Sequence, residues 1–141
     1  MGRDGGRSFV RHQLPAILWA LLIFGSSSLP GRAFPDVSFP HIDKVVHFLY
    51  YFVFAILVAH ALRFQSRFPD LSRFSLALGF LLATAYAVSD EVHQLFVPER
   101  SFDPEDLFAD VAGAFSAVAI LALLRWRAKW QMEARKAGNS A

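Results

Sequence analysis

The chain has 141 residues and a net charge of +2, and 55% of its residues are hydrophobic whereas only 18% are charged. Soluble domains carry about 25% charged residues, so this composition excludes an ordinary water-soluble domain. The 15 Phe residues exclude a disordered chain, and the absence of Cys excludes disulfide scaffolds, thiol catalysis and thiolate metal sites, which leaves a small integral membrane protein.

Four apolar segments approach the length of a membrane span. A transmembrane helix needs about 20 predominantly apolar residues to cross a hydrocarbon core about 30 Å thick. The chain is therefore predicted to be an all-α membrane protein, with a single domain over residues 1–141 that forms a four-transmembrane-helix bundle. The predicted spans are about 14–29, 44–62, 74–97 and 106–124.

The first span is the weakest of the four, because a glycine and three serines occupy residues 25–28. An alternative interpretation is a secretory signal peptide, since Arg3, Arg7 and Arg11 precede the apolar run. No clear small-x-small cleavage site follows that run, so a retained helix is the favoured interpretation.

The second and third spans are apolar except near one end. The second begins with Asp43 and His47, which are four residues apart. The third ends in a polar stretch that includes Asp90 and Gln94, also four apart, before Pro98 stops the helix. Because residues four apart share one face of a helix, each pair forms a polar stripe.

The fourth span is predicted to begin at Asp106, with Asp110 and Gly113 on the same face. Gly113 and the neighbouring alanines are small residues of the kind that allow membrane helices to approach closely. The start of this span therefore adds a third polar stripe to the two before it.

The basic residues predict the orientation of the chain. Eleven of the 14 Lys and Arg residues fall in the amino-terminal tail, the middle loop and the carboxyl-terminal tail: Arg3, Arg7, Arg11, Arg63, Arg67, Arg73, Arg125, Arg127, Lys129, Arg135 and Lys136. The positive-inside rule places these segments, and so both termini, in the cytoplasm. The outer side then holds nine of the 12 acids: Asp36, Asp43, Asp90, Glu91, Glu99, Asp103, Glu105, Asp106 and Asp110.

The three polar stripes all lie on the predicted outer side, so they are expected to form one site between the helices. Ionisable groups inside a membrane are costly and are usually functional. The candidate catalytic residues are Asp90, Glu91 and His47. The candidate ligand-binding residues are Asp43, Lys44, Gln94, Arg100, Asp106 and Asp110.

A plainer interpretation assigns some of these acids a structural role. Asp43 and Asp106 lie where helices are predicted to begin, and they could act as caps or as helix-dipole partners. The acids Glu99, Asp103 and Glu105 are interpreted as solvated loop charges without a place in the site.

The segments Asp43–Tyr51 and Asp90–Gly113 resemble the VanZ-like family of small bacterial membrane proteins. The matches to the family pattern are Asp43, Lys44, His47, Asp90, Glu91, Gln94, Phe96, Pro98, Arg100, Asp106 and Gly113. Two residues depart from that pattern. Glu99 stands where Gly is usual, which changes the turn after Pro98, and Asp110 stands where Asn is typical, which adds an acid to the site.

The resemblance implies a multi-pass protein of the bacterial cell membrane. The member that gives the family its name is similar to a teicoplanin-resistance factor, so the resemblance also implies a role in glycopeptide resistance. The partners expected from it are membrane lipids and a lipid-linked or glycopeptide-type ligand, with no nucleic acid and with formation of a homo-oligomer left open.

Three functions stay open, and the sequence does not decide whether the protein is an enzyme. In the first, the site binds or modifies an envelope ligand, with Asp90 or Glu91 as general base and His47 as general acid. Arg100 would then hold a phosphate or a carboxylate of the ligand.

The second function is a metal-dependent version, which is not favoured because the chain contains no recognised ligand spacing such as His-Glu-x-x-His. Its oxygen and imidazole ligands would come from Asp43, His47, Asp90, Glu91, His93 and Asp110. The third function is a non-catalytic scaffold, or a permeation or proton-relay pathway, which in so thin a bundle would require an oligomer.

Overall fold

The structure is a computed structural model, and it describes residues 3–33, 41–65 and 68–138. All the regular structure in these residues is helical. The helices are α1 (Arg3–His12), α2 (Leu14–Ser27), α3 (Ile42–Phe64), α4 (Pro69–Arg73), α5 (Ser75–Gln94) and α6 (Pro104–Gly138), with a short 3-10 turn at Gly31–Ala33. Arg67, one of the basic residues used to predict the orientation, and Asp36, one of the acids on the predicted outer side, lie outside the described residues.

Three helices, α3, α5 and α6, are long and apolar enough to cross a membrane. Helices α1 and α2 are bent by 45° at the break between them, and together they qualify as a fourth span. The prediction of an all-helical membrane protein is therefore confirmed, with three or four candidate spans.

Two helix ends differ from the limits of the predicted spans. Helix α5 ends at Gln94, before the predicted limit at residue 97, because the chain tightens into turns in which Phe96 and Val97 donate to carbonyls three residues back. Helix α6 has 35 residues and continues well beyond residue 124. At 1.5 Å per residue its length is roughly 50 Å, more than the thickness of a hydrocarbon core.

The beginning of α6 is fixed by a cap that the sequence interpretation missed. Asp103 Oδ1 accepts a hydrogen bond from the backbone N–H of Glu105 at 2.8 Å. Pro104 occupies the first helical position, where its missing N–H has no cost. The residue that caps α3 is His41, with φ of 61° and no side-chain cap bond. Asp43 and Asp106 are therefore not caps, but both lie in the first turn of their helices, where the interpretation as helix-dipole partners places them.

Helix α3 lies at the centre of the bundle and contacts every other helix. Its neighbours approach it through glycines. A Cβ at Gly113 of α6 would lie 2.2 Å from the carbonyl oxygen of Phe48, and a Cβ at Gly79 of α5 would lie 2.9 Å from Ala59 Cβ. These contacts agree with the prediction that small residues allow close approach of the helices.

The described helices bury small residues and expose large apolar ones. Ala55, Ala83 and Ala117 are fully buried between helices, whereas Phe108 and Phe115 are 75% and 61% exposed. Lipid tails solvate large apolar side chains, so membrane bundles place small residues at helix contacts instead. The outward-facing aromatic side chains are consistent with a lipid-facing surface.

Side-chain contacts define two ends of the bundle. At one end Ser27 of α2 meets Asp90 of α5, and His47 of α3 meets Asp110 of α6. We call this the polar end. At the other end Arg125 of α6 donates to Ser75 of α5 at 3.2 Å. Successive spans therefore run antiparallel, which brings the end of α2, the start of α3, the end of α5 and the start of α6 together.

Candidate functional site

Lys44 of α3 is the cation around which the acids of the polar end gather. Its Nζ donates to Asp103 Oδ2 at 2.5 Å and to Asp106 Oδ1 at 2.7 Å, and it lies 3.1 Å from Asp43 Oδ2. The Lys44 side chain is 18% exposed, whereas that of Asp43 is 59% exposed. Of the candidate ligand-binding residues, Asp43 therefore lies at the rim, while Lys44 and Asp106 lie inside.

The interpretation of Asp103 as a solvated loop charge is wrong. Its carboxylate accepts from Lys44 and from the N–H of Glu105, and its own backbone N–H donates to Glu91 Oε2 at 2.9 Å. The ammonium of Lys44, which donates a hydrogen bond to Asp103, lowers the pKa of the Asp103 carboxyl. Asp103 thus connects the loop before α6 to both α3 and α5.

His47 lies between two carboxylates of α6. Its Nδ1 is 3.0 Å from Asp110 Oδ1, and its Nε2 is 3.6 Å from Asp106 Oδ2. Asp110 is fully buried, and its second oxygen, Oδ2, has no hydrogen-bond partner in the part of the chain that the structure describes. The departure from the family pattern at Asp110 therefore places a buried carboxylate directly against the histidine.

Glu91 and Gln94 are buried beside this group. Glu91 is fully buried, and Gln94 Nε2 lies 3.5 Å from Glu91 Oε1. One potential ligand atom from each of His47, Glu91 and Asp106 lies within 4.8 Å of the other two, close enough to hold a metal ion. His93, a member of the metal-ligand set considered from the sequence, contacts Ser28 Oγ at 3.0 Å instead.

Asp90 faces α2 and a small cavity. It is 4% exposed, and its Oδ2 accepts a hydrogen bond from Ser27 Oγ at 2.8 Å. The cavity has a volume of about 60 Å³, and its lining includes His47, Tyr51, Asp90 and Arg100. One water needs about 10 to 15 Å³ of such space, so the cavity has room for a few waters or one small polar group.

The sequence interpretation gave too little weight to two residues that line this cavity. The serines at the end of α2 indicate a weak span, yet Ser27 is 5% exposed and binds Asp90. Tyr51 is 1% exposed, and among the described residues its Oη has no hydrogen-bond partner. A serine at the polar end of a neighbouring span was the available signal for a fourth helix contributing to the site.

Glu99 adopts the conformation that the glycine of the family pattern adopts without steric cost. Its φ is 62°, in the left-handed region. The Glu99 carboxylate accepts from the backbone N–H of Arg32 at 3.0 Å and lies 3.3 Å from Arg32 Nη1. A Cβ at Gly31 would lie 2.4 Å from the Glu99 carbonyl oxygen. The turn after Pro98 is therefore joined closely to the segment that follows α2.

The chain was compared with known protein families, with curated proteins and with solved structures. The sequence model of one family, described as VanZ/LLP1, matches residues 9–125. This range covers most of the described helices and every candidate site residue. No curated protein and no solved structure matches the chain.

Proposed function

Because the chain belongs to the VanZ/LLP1 family of membrane proteins, we propose that its polar end binds the polar headgroup of an envelope lipid or a lipid-linked precursor. The observation that carries this proposal is the group of four buried carboxylates beside a cavity at one end of the bundle: Asp90, Glu91, Asp106 and Asp110. An ionised carboxylate costs about 2.5 to 3.5 kcal/mol at a helix centre on insertion scales and less towards the helix ends, and ionisable groups in membrane helices are usually functional, so the accumulation of four favours function over packing.

The cavity wall suggests how the headgroup is held. Arg100 presents a planar guanidinium suited to a phosphate or a carboxylate, and Tyr51 offers a hydroxyl that can donate to the same group. If the site modifies its ligand, Asp90 is better placed as general base than Glu91, because Asp90 belongs to the cavity lining, which does not include Glu91. His47 lines the same cavity and is the candidate acid.

The proposal also includes the orientation and domain organisation expected from the sequence. Residues 1–141 form one domain, the polar end faces the outside of the bacterial cell membrane, and both termini are cytoplasmic. The basic residues support this orientation, since Arg63, Arg73 and Arg125 lie at the end opposite the polar end.

The proton-relay alternative requires polar groups along the whole bundle. Beyond the polar end, the described core is mostly apolar and includes Phe54, Ala55 and Val58, with the hydroxyls of Thr84 and Ser75 as isolated buried polar groups. A site at one end fits this distribution better than a pathway through a single bundle does.

Lipid retained during purification tests the proposed ligand. We expect native mass spectrometry of the wild-type protein in mild detergent to detect a phosphorylated lipid, because Arg100 and the cavity would hold its headgroup. Arg100→Ala should lose this lipid. Arg127→Ala is the matched control, since it removes an exposed arginine from the carboxyl-terminal part of α6 and should retain the lipid. Retention by both variants would contradict the proposed headgroup site.

Substitution of residues in the cavity wall also tests the proposed link to glycopeptide resistance. Expression of the wild-type protein in a teicoplanin-susceptible bacterium should raise the inhibitory concentration of teicoplanin. Asp90→Ala and Arg100→Ala should abolish that increase without lowering the amount of protein in the membrane. Variants that protect the host as the wild type does would remove these residues from the functional site.

A further inference from the structure

The geometry of the polar end points to a divalent metal ion held by His47, Glu91 and Asp106. Their potential ligand atoms all lie within 4.8 Å of one another. Zinc–nitrogen and zinc–oxygen bonds are about 2.0 to 2.2 Å long, so neighbouring ligand atoms of a tetrahedral ion are roughly 3.5 Å apart. His47 Nε2 and Asp106 Oδ2 already have this separation at 3.6 Å, and a side-chain adjustment of roughly 1 Å or less would bring all three groups to bonding distance.

The contacts of His47 and Asp106 leave the required atoms available. Asp110 Oδ1 lies 3.0 Å from His47 Nδ1, and because an ionised carboxylate only accepts, Nδ1 carries the proton. The lone pair of His47 is then on Nε2, which lies 3.6 Å from Asp106 Oδ2. Lys44 occupies the other oxygen of Asp106. Metal-binding histidines commonly have such a carboxylate partner on the second ring nitrogen.

Two further observations at the polar end call for a cation. Asp110 is fully buried, and its Oδ2 has no partner in the described residues. The carboxylates of Asp90, Glu91, Asp103, Asp106 and Asp110 also outnumber the cationic side chains that the structure places beside them, Lys44 and Arg100. Buried negative charge without compensation is strongly unfavourable, and a divalent ion would offset the excess.

The ligand set indicates the kind of metal. One imidazole and two carboxylates suit Zn²⁺ or Mn²⁺ better than Mg²⁺ or Ca²⁺, which prefer oxygen ligands throughout. Three protein ligands leave further coordination positions open, as in catalytic rather than structural zinc sites. His47 also lines the cavity, so the ion would lie next to the proposed headgroup site. Binding of the ion does not rest on that proposal, whereas contact between the ion and a bound headgroup does.

Titration of the full chain with the metal itself tests the inference. After treatment with a chelator, the detergent-purified protein should bind one equivalent of Zn²⁺ or Mn²⁺ by calorimetry. His47→Gln and Glu91→Gln should abolish this binding. Asp110→Asn, which alters only the partner of the histidine, should weaken it by about 10- to 100-fold.

Asp103→Asn is the matched control for Asp106→Asn. Both variants remove a carboxylate that contacts Lys44, but only Asp106 belongs to the ligand group. Asp103→Asn should bind metal nearly as the wild type does, whereas Asp106→Asn should not. If Asp106→Asn does not elute as a single species, His47→Gln decides the outcome, because this variant leaves the ion pair between Lys44 and Asp106 in place.

Two results would overturn the inference. One is a wild-type protein that binds neither Zn²⁺ nor Mn²⁺ in stoichiometric amount, which would mean that protons neutralise the acids. The other is undiminished binding in the ligand variants. The titration contains no added lipid, so its failure would leave the headgroup proposal intact, and loss of co-purified lipid in Arg100→Ala would not by itself support the metal.

Discussion

Lys44 supplies the positive charge shared by a loop and two helices of the polar end. It extends from α3, whereas its partners Asp103 and Asp106 belong to the loop before α6 and to α6 itself. The Lys44 and Asp106 side chains are only 18% and 11% exposed. Removing one member of a buried ion pair leaves the other charge uncompensated, so this pair should matter more than ion pairs at the surface.

Replacement of Lys44 tests this difference. Lys44→Met should lower the free energy of unfolding by about 3 kcal/mol, because the mostly buried carboxylate of Asp106 loses its cation. Arg32→Met should cost less than about 1 kcal/mol, since the side chains of Arg32 and Glu99 are 74% and 50% exposed. Denaturant unfolding in detergent micelles, followed by circular dichroism, measures both. Equal losses would contradict the central position of Lys44.

For individual residues, the sequence predicts which side chains share a helix face better than it predicts the contacts of a residue in a loop. The four-residue spacing of Asp43 and His47 indicates a shared helix face, although the structure leaves Asp43 at the rim. Asp103 could be placed only once the turns after Gln94 were known. Its position before Pro104 is a helix-cap signature, and that signal was present in the sequence.

The close approach of α3 and α6 sets the separation of their polar stripes. Gly113 lies three residues after Asp110, and Phe48 follows His47, so the glycine contact adjoins the pair that is 3.0 Å apart. The atoms nearest a Cβ at Gly113 belong to the backbone of α3, which cannot rotate out of the way as a side chain can. A larger residue there must separate the helices.

Substitution of this glycine should therefore destabilise the bundle. Gly113→Ala is expected to lower the free energy of unfolding by about 3 kcal/mol, the upper end of the usual cost of overpacking. Gly25→Ala is the matched control, because nothing lies within 4 Å of its Cβ and alanine favours a helix over glycine by about 1 kcal/mol. Thermal unfolding in the same detergent compares the two. A neutral Gly113→Ala would contradict the close helix contact.

Hydropathy predicts that a helix is present, but local turns determine where the helix ends. Apolar length predicts α3 and α5 to within a few residues at most ends. The end of α5 is different, because the apolar residues Leu95, Phe96 and Val97 continue the pattern after the helix has stopped. Hydropathy is equally uninformative for the last turns of α6, where charged residues continue a helix that has left its apolar stretch.

For the whole molecule, the proposed orientation makes opposite predictions for the two ends of the bundle. The chain contains no Cys, so a single introduced Cys reports one position without background. Glu105 lies at the polar end and Glu133 lies in the carboxyl-terminal part of α6, and both are exposed.

Labelling in intact bacterial cells lacking an outer membrane distinguishes the ends. A membrane-impermeant maleimide should modify Glu105→Cys directly, and it should modify Glu133→Cys only after permeabilisation. The reason is the excess of Lys and Arg at the end opposite the polar end. The reverse pattern would overturn the orientation. Labelling of both positions in intact cells would contradict the crossing of the membrane by α6, the span that separates them.

The gathering of distant polar stripes could be predicted from the sequence, whereas their internal arrangement could not. Short connections and alternating spans bring Lys44, Glu91 and Asp106 to one end of any such bundle. Whether Asp90 and its neighbour Glu91 face the same partners depends on helix rotation. The structure directs Asp90 toward Ser27 and Glu91 toward Asp103, a distinction that residue spacing does not contain.

The contacts of Lys44 and His47 also bear on how the protein is made. Their partners Asp103, Asp106 and Asp110 lie 59 to 63 positions later in the chain. During synthesis, α3 therefore leaves the ribosome before these partners, with Asp43 as the acid that already lies beside Lys44. The contacts that join α3 to α6 can therefore form only after α6 has been translated.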